Sequence, residues 1–253
     1  MGKINRLAVK QLASQLTDLG VQAGDLLMVH SSFRSLAIDD PEVVVQALLQ
    51  VLGPEGTLLM PALSYLQQPH HIHDTRTTPS CVGYLTEYFR TRPGTLRSLH
   101  PTHSVCALGP AAEELLEYHI LDKTPCGPNS PFSLLLHRHG KILMLGCGLI
   151  PNTSMHAIEE YVQPLYLFSH PKIYTITNAA GETFRKAYIP HSFRDTSQCY
   201  DRVGELLEEP ALRTGVVAGA ESHLIDSESL YRVVLAKLNE DPYYFVEHTA
   251  VMS

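Results

Sequence analysis

The sequence lacks the features of a membrane-spanning or nucleic-acid-binding protein. Its longest apolar runs, such as VVLA and ILML, fall far short of the roughly 18 to 20 residues that span a bilayer. The opening segment MGKINRLAVKQLASQL has no long apolar stretch, so we expect no signal peptide. A positive charge excess is also absent: 19 Lys and Arg against 26 Asp and Glu give a net charge of −7. We therefore expect a cytoplasmic protein with no membrane or nucleic-acid partner, and this charge is compatible with a cationic ligand.

Metal-binding and disulfide motifs are absent too. The five cysteines are odd in number and never spaced as CxxC, which argues against a disulfide framework and a thiolate zinc site. No HExxH occurs among the fourteen histidines. His70, His71 and His73 form the densest group, and imidazoles are good zinc ligands, but their spacing matches no recognised closed site. We expect no metal.

The order of apolar segments predicts an α/β fold. Short apolar strands such as DLLMVHSS, GTLLMPAL and KILMLGCGL alternate with helical patterns, which favours a central, mostly parallel or mixed sheet flanked by helices. From residue 164 onward the pattern changes, and 172–190 reads as a β-hairpin insertion that turns at Ala180–Gly181. Helical stretches are expected near 197–208 and 226–239, and residues 63–82 as a long loop. Because no linker or repeat is visible, we expect one domain over residues 1–253.

Polar segments follow these strands, where ligands collect in sheets of this kind. HSSFRS (30–35) offers two hydroxyls, backbone N–H groups and Arg34, a combination that can hold phosphate. The alternative is a solvated loop in which Ser31 acts as a local cap. A second segment, RSLHPTHS (97–104), adds Arg97 beside a serine and an imidazole.

His156 and Glu159 lie three residues apart on a predicted helix, and therefore on one face. This spacing lets the carboxylate hold the imidazole in one tautomer and leave its other nitrogen free as a general base. A solvated surface pair is the alternative. The position directly after the KILML strand favours the functional interpretation, and Glu160 could take the place of Glu159.

Taken together, these segments resemble the aminoglycoside 3-N-acetyltransferase family, antibiotic acetyltransferases that use acetyl-coenzyme A. The resemblance spans roughly residues 25–165 and follows an ordered series of motifs. These are VHSSFRS, GTLLMPAL, TPSCVGYLTEYFRTRPGTLRSLHPTHSVCALGPAA, GPNSPFSLLL and KILMLGCGLIPNTSMHAIEEY. The chain lacks the R/Q-x-x-G-x-G/A loop of the commoner acetyltransferase fold, which agrees with the distinct α/β fold that the resemblance implies.

The resemblance also implies a set of site residues. His156 would be the base and Glu159 its orienting partner, in direct transfer from acetyl-CoA to the 3-amino group of an aminocyclitol. The coenzyme would lie against the two serine-rich segments. The implied cofactor residues are Ser31, Ser32, Arg34, Ser35, Arg97, Ser98 and Ser104, and the acceptor residues are Tyr65, Asp74, His100 and Glu160.

The departures from the family pattern fall on the acceptor side. Ala37 stands where the first loop commonly has glycine, and Asp74 is kept in a histidine-rich context, HHIHDTRT. The acceptor is expected to be a small, cationic primary amine. An imidazole has an ordinary pKa of about 6.5, so His156 could take the proton of the amine, and N–H groups of the 31–36 loop or the Ser104 hydroxyl could stabilise the oxyanion.

Three alternatives remain open at this point. The first is an acyltransferase of the same fold acting on another amine, such as an amino sugar or a biosynthetic metabolite. The second is a metal-dependent hydrolase using His70, His71, His73 and His100. The third is a non-catalytic CoA-binding relative. An acyl-enzyme on Cys147 is disfavoured, because a cysteine in GCG after a strand is typical of a small packed residue.

Overall fold

The structure, a computed structural model, describes residues 5–249 and contains seven α-helices and twelve strands in that range. The helices are α1 (Arg6–Leu19), α2 (Pro41–Leu52), α3 (Tyr84–Thr91), α4 (Ala112–Glu117), α5 (Pro131–Leu136), α6 (Ser154–Val162) and α7 (Ser227–Glu240). The strands are β1 (Leu26–Ser31), β2 (Thr57–Pro61), β3 (Ile72–Asp74), β4 (Leu96–Arg97), β5 (Val105–Leu108), β6 (Lys141–Leu145), β7 (Lys172–Thr177), β8 (Thr183–Tyr188), β9 (Thr196–Gln198), β10 (Leu212–Val217), β11 (Ala220–Asp226) and β12 (Val246–His248).

Seven strands form one mixed sheet in the order β10-β11-β6-β1-β2-β5-β4. The three central strands, β6, β1 and β2, are parallel, with Leu27 opposite both Lys141 and Leu58. The strands on either side pair antiparallel. The sheet is thus mixed, one of the two forms expected. Apolar strands cannot distinguish the two forms, because any strand covered on both faces is apolar throughout.

Helices cover both faces of this sheet, as predicted. Successive residues of a strand point to opposite faces, so Val29 belongs to the apolar core under α1 and α2, and Met28 to the core under α4 to α7. Asn5 and Asp40 cap α1 and α2 by accepting hydrogen bonds from backbone N–H groups. Within residues 5–249, no helix combines the length and the apolarity needed to cross a bilayer.

The predicted hairpin is confirmed as β7 and β8, and it belongs to a second sheet of order β3-β7-β8. The expectation of a plain loop over residues 63–82 is wrong in one respect, since β3 lies inside it and pairs parallel with β7. The expected helix near 197–208 is a 3-10 helix, Tyr200–Glu205, that follows β9. β9 pairs with β12 near the end of the described chain.

Candidate active site

A cleft of about 550 Å³ opens beyond the ends of the central strands. Loops after β2 and β6 reach it, as expected where the carboxyl ends of parallel strands meet. The segment after β8 closes the other side. The cleft is lined by Leu63, Tyr65, Val82, His103, Ile150, Pro151, Asn152, Thr153, His156, His191, Phe193, Gln198 and Tyr200.

The loop between β6 and α6 places His156 in this cleft. Gly146 begins the turn with φ of 64°, and a Cβ there would come within 2.9 Å of the Leu36 side chain, so the position favours glycine. The side chain of Asn152 accepts a hydrogen bond from the Ser154 N–H at 3.1 Å, just before α6 begins. His156 therefore lies in the first turn of the helix that begins directly after this loop.

Glu159 holds the His156 ring from behind. His156 Nδ1 lies 3.0 Å from Glu159 Oε2, and the Glu159 side chain is fully buried. The hydroxyls of Tyr200 and Tyr166 donate to the two oxygens of the same carboxylate at 2.6 and 2.7 Å. Since a carboxylate can only accept, this pattern assigns the ring proton to Nδ1 and leaves the Nε2 lone pair for chemistry.

The two tyrosines remain protonated donors. Burial, followed by the charge of Glu159, raises the pKa of Tyr200 well above its ordinary value, and the same causes raise the pKa of Tyr166. Tyr200 also lies 2.7 Å from His156 Nδ1. The base is thus supported by one carboxylate and one phenol.

A second histidine–glutamate pair lies beside the first. His191 Nε2 is 2.7 Å from Glu160 Oε1, and both side chains are more than nine-tenths buried. Glu160 also accepts from Thr124 and from the Cys126 N–H. Burial raises the pKa of Glu160 to about 7, and burial together with the neighbouring His156 lowers the pKa of His191 well below its ordinary value. Glu160 does not line the cleft itself, but it contacts His191, which does.

Further imidazoles continue from the cleft into the interior. The His103 ring lies 6.4 Å from that of His156 and 5.3 Å from that of His191. Behind it, His100 is 1% exposed and stacks on His119 with ring centroids 4.9 Å apart. His100 Nδ1 accepts from the His103 N–H at 2.9 Å. His100 therefore supports the backbone that carries His103, and its predicted contact with the acceptor stays a prediction.

The serine-rich segment after β1 forms a 3-10 turn at the surface. The hydroxyls of Ser32 and Ser35 are 2.8 Å apart, and Arg34 is exposed. Beneath it, a narrow cavity of about 80 Å³ is lined by His30, Ser31, Pro61, Leu63, Val82, Thr86, Pro151 and Thr153. Four of these residues also line the cleft, so the two spaces adjoin.

The RSLHP segment makes internal contacts instead of forming an open phosphate site. The Arg97 guanidinium donates to the carbonyls of Ala62, Thr75 and Thr78 and to the Ser104 hydroxyl. Ser104 Oγ donates in turn to the Ala62 carbonyl at 2.9 Å. Burial lowers the pKa of Arg97 to about 10.

The Ser98 side chain also makes internal hydrogen bonds, because its hydroxyl contacts His119 Nδ1 and accepts from the Val105 N–H. The roles predicted for Arg97, Ser98 and Ser104 in coenzyme binding stay predictions. Their visible contacts tie the loop 75–78 to the sheet.

Of the acceptor residues, Tyr65 lies in the cleft and Asp74 lies on β3. The Tyr65 ring is half exposed and 6.4 Å from that of His103. Asp74 forms an ion pair with Arg76 at 2.9 Å, and hydrogen bonds from Arg76 hold the pKa of Asp74 down at about 2. Its contact with the acceptor stays a prediction.

The histidine-rich segment does not converge on one point. The rings of His70 and His71 pack together with centroids 4.2 Å apart at the surface, whereas His73 is buried. Between residues 5 and 249, no three His, Cys, Asp or Glu side chains lie close enough together to hold a metal ion. Burial raises the pKa of the Cys147 thiol to about 11, which makes it a poor nucleophile at neutral pH.

Several residues in or next to the cleft were not identified from the sequence. Tyr166, Tyr200 and His191 lie in the C-terminal third, where no motif marks them. His30 was included in the HSSFRS segment but given no role of its own. The available signal was a polar imidazole at the end of an apolar strand. A histidine at such a position is either buried in the core or faces a pocket.

Comparisons with known proteins agree with this architecture. The family model for aminoglycoside 3-N-acetyltransferase matches residues 28–239. The chain is 34% identical to aminoglycoside N(3)-acetyltransferase IV of Salmonella over 93% of this chain and 89% of that protein. It is 28% identical to aminoglycoside N(3)-acetyltransferase VII of Streptomyces paromomycinus over 91% of each protein.

Solved structures of similar proteins contain an aminoglycoside in one case and coenzyme A in another. A histidine-to-alanine variant of aminoglycoside acetyltransferase AAC(3)-IVa, in complex with a gentamicin, superposes with a TM-score of 0.81 at 31% identity, covering 93% of this chain and 90% of that one. AAC-IIIb in complex with CoASH superposes with a TM-score of 0.80 at 28% identity, covering 92% and 96%.

Proposed function

The chain belongs to the aminoglycoside 3-N-acetyltransferase family and is thus an acyltransferase, and from this premise we propose that it transfers the acetyl group of acetyl-CoA directly to a primary amine, with His156 as general base. One observation carries the proposal. His156 lines the cleft while its Nδ1 is held by Glu159 and Tyr200, so its Nε2 is left to take a proton.

The reaction needs a base because a primary amine is mostly protonated at neutral pH and cannot attack. His156 Nε2 takes the first proton from the ammonium group and passes it to solvent, and the neutral amine nitrogen then attacks the thioester carbon. The nitrogen of the tetrahedral intermediate gives a second proton to His156, the C–S bond breaks, and His156 passes this proton to the departing thiolate. Glu159 and Tyr200 stabilise the imidazolium while it exists.

The coenzyme is proposed to lie along the serine-rich turn and to reach the cleft through the narrow cavity. Ser31 lines that cavity, and on the turn that follows it Arg34 and Ser35 are exposed and Ser32 is partly exposed. Arg97, Ser98 and Ser104 would contribute by fixing the loops around this passage. The acetyl-CoA of the proposal agrees with the CoASH complex of the relative AAC-IIIb.

Replacing Arg34 with alanine is expected to raise the Kd for CoA about tenfold, because one charge-assisted contact to phosphate is lost. Isothermal titration calorimetry with CoA measures the change. Arg185→Ala, which removes an exposed arginine on β8, is the control and should leave the Kd unaltered. An Arg34→Ala protein that binds CoA as tightly as wild type would remove Arg34 from the site.

Two acceptor classes follow from the family and the cleft. The relatives' names indicate the 3-amino group of an aminoglycoside, with Tyr65, Asp74, His100 and Glu160 as the proposed acceptor residues. The side chains that line the cleft are aliphatic, aromatic, imidazole, amide and hydroxyl groups. That lining also suits an acceptor with a single ammonium group, such as an amino sugar, which is the second candidate.

A thiol-release assay with acetyl-CoA tests the proposed function. The acceptors are a panel of aminoglycosides and simple amino sugars, and mass spectrometry of the products locates the acetyl group. Release with an aminoglycoside supports the first class, and release with amino sugars alone supports the second. If no amine on the panel releases CoA while CoA still binds, transfer to these two acceptor classes is refuted and the non-catalytic alternative is favoured. Loss of turnover in Cys147→Ser would favour an acyl-enzyme instead of direct transfer.

Glu159→Gln is expected to lower kcat about a hundredfold through misplacement of the base. Tyr166, Tyr200 and His156 Nδ1 all present donors to this side chain, and a glutamine amide must place its own N–H₂ donor against one of them. Steady-state kinetics measure kcat, and the exposed pair His139–Glu228 supplies the control Glu228→Gln. Unchanged kcat in Glu159→Gln would show that the carboxylate does not orient the base.

A further inference from the structure

His30 occupies the centre of the molecule without an evident structural task. It lies near the end of β1, the strand between β6 and β2, and is 6% exposed. Its Nε2 is fully enclosed and, among the residues that the structure describes, has no hydrogen-bond partner. A buried polar atom left in this state costs about 1 to 3 kcal/mol, so an apolar residue would serve the fold better.

The His30 ring is neutral. Burial, followed by the nearby His156, lowers the pKa of His30 to about 3. A neutral imidazole carries one N–H and cannot act as a general acid of ordinary strength near pH 7. What it offers a ligand is a fixed hydrogen bond from an uncharged donor.

The cavity beside His30 accepts a small group. Its volume of about 80 Å³ corresponds to two or three water molecules at roughly 30 Å³ each, which is room for an acetyl thioester and too little for a sugar ring. The cavity shares Leu63, Val82, Pro151 and Thr153 with the cleft that contains His156. A group held beside His30 therefore lies next to the base.

Several of the other donors considered for the oxyanion already have partners. The Ser104 hydroxyl donates its one proton to the Ala62 carbonyl. In the 31–36 loop, the N–H groups of Ser32, Ser35 and Leu36 donate to the carbonyls of Leu145, Ser32 and Phe33. His30 Nε2 has no such partner among the described residues, and unlike Asn152, whose Nδ2 is also without a partner, His30 lines the small cavity itself.

We propose that His30 is a catalytic residue whose Nε2–H donates a hydrogen bond to the carbonyl oxygen of the acetyl thioester. The inference rests on the proposed acetyl transfer. When the amine attacks, the C–N bond forms and the carbonyl π pair moves onto the oxygen that His30 contacts. The pair returns as the C–S bond breaks, the amine proton leaves through His156, and His30 keeps its own proton throughout. A preorganised donor at this atom acts most strongly when the negative charge develops.

His30→Met, which keeps the bulk and removes the donor, is expected to lower kcat about 10²- to 10³-fold. The Kd for CoA and the KM for the amine should change less than threefold, and the acid limb of the pH profile should stay in place because His156 remains the base. His30→Gln restores a donor near the Nε2 position and should recover at least tenfold of the loss. His137→Met, at an exposed histidine that contacts Tyr161, is the matched control.

Isotope-edited infrared spectroscopy of carbonyl-labelled acetyl-CoA on the wild-type enzyme gives a test that needs no variant. The carbonyl stretch should move to lower wavenumber on binding. An unshifted stretch would overturn the proposal, as would a His30→Met enzyme with kcat within threefold of wild type. If His30→Met is inactive and His30→Gln recovers nothing although both bind CoA, the donor role is also wrong. Failure of the proposed function is separate, because it appears as absent thiol release in wild type with every amine.

Discussion

Replacing His156 with alanine is expected to lower kcat about 10²- to 10⁴-fold, the range that a positioned general base contributes. The amine then has no group to take its proton, whereas Ser31 and Arg34 on the coenzyme side are untouched. The Kd for acetyl-CoA should therefore stay within a few fold of wild type. Steady-state kinetics with the best acceptor and calorimetry with CoA separate the two quantities.

His137→Ala is the matched control, since it removes an exposed imidazole that bonds to Tyr161 and should leave kcat unaltered. The pH dependence of the residual activity is a second test of the base. Raising the pH deprotonates the amine in solution, so the residual activity of His156→Ala should increase with pH more steeply than that of wild type. Wild-type turnover in His156→Ala would refute the assignment of the base.

Acidification is expected to unfold the protein between about pH 6 and 5. Burial, the largest cause in each case, lowers the pKa of His30 and His73 to about 3 and that of His119 to about 4. It also lowers the pKa values of three further histidines well below the ordinary value: His100, His103 and His191. These rings stay neutral in the folded chain, but in the unfolded chain they take up protons near pH 6.5.

The direction in which the free energy of unfolding changes with pH follows from the number of protons that each state binds. Because the unfolded state binds more protons below pH 6.5, this stability is fully present above pH 6.5 and is lost as the pH falls toward 3 to 4. Each group contributes about 1.4 kcal/mol per pH unit, so the three rings with pKa values of about 3 to 4 remove on the order of 4 kcal/mol at pH 5.5. The other three act in the same direction, and the sum is a large share of a typical total of 5 to 15 kcal/mol. Glu160, with its pKa raised to about 7, acts in the opposite direction but offsets roughly one histidine.

Urea unfolding at pH 7.5, 6.5 and 5.5 measures this dependence. His73 is the best single test, because both of its ring nitrogens are enclosed without a hydrogen-bond partner within the described residues. His73→Leu should flatten the dependence by about 1.4 kcal/mol between pH 6.5 and 5.5. His70→Leu, at an exposed ring, is the control. A free energy of unfolding that is equal at pH 7.5 and 5.5 would contradict the expectation.

The sequence was most informative where chemistry depends on local spacing. His156 and Glu159 could be paired from one turn of helix, because residues three apart on a helix share a face. Tyr200 reaches the same carboxylate from 41 positions further along the chain, and no local pattern encodes such a contact. For Arg97, the positive charge led to the prediction of an anionic ligand nearby. The sequence could not show that its side chain lies among backbone carbonyls, because tertiary packing determines that position.

The fold followed the same division. The alternation of apolar strands and helices predicted the layers, and the hairpin was readable from its turn. Strand direction was not readable from composition, because the antiparallel β5 is as apolar as the strands of the parallel centre. The single domain over residues 1–253 stays a prediction.

The pairing of β1 with β6 also determines when the site can form. Leu27 pairs with Lys141, so the central pairing of the sheet joins residues that are far apart along the chain. Closing a loop of that length slows folding. A growing chain that has not yet reached β6 has α6 and its histidine still to come, and β1 has one open edge available for unwanted strand pairing. We therefore expect the base and its cleft to be late products of folding, assembled only after most of the polypeptide has been made.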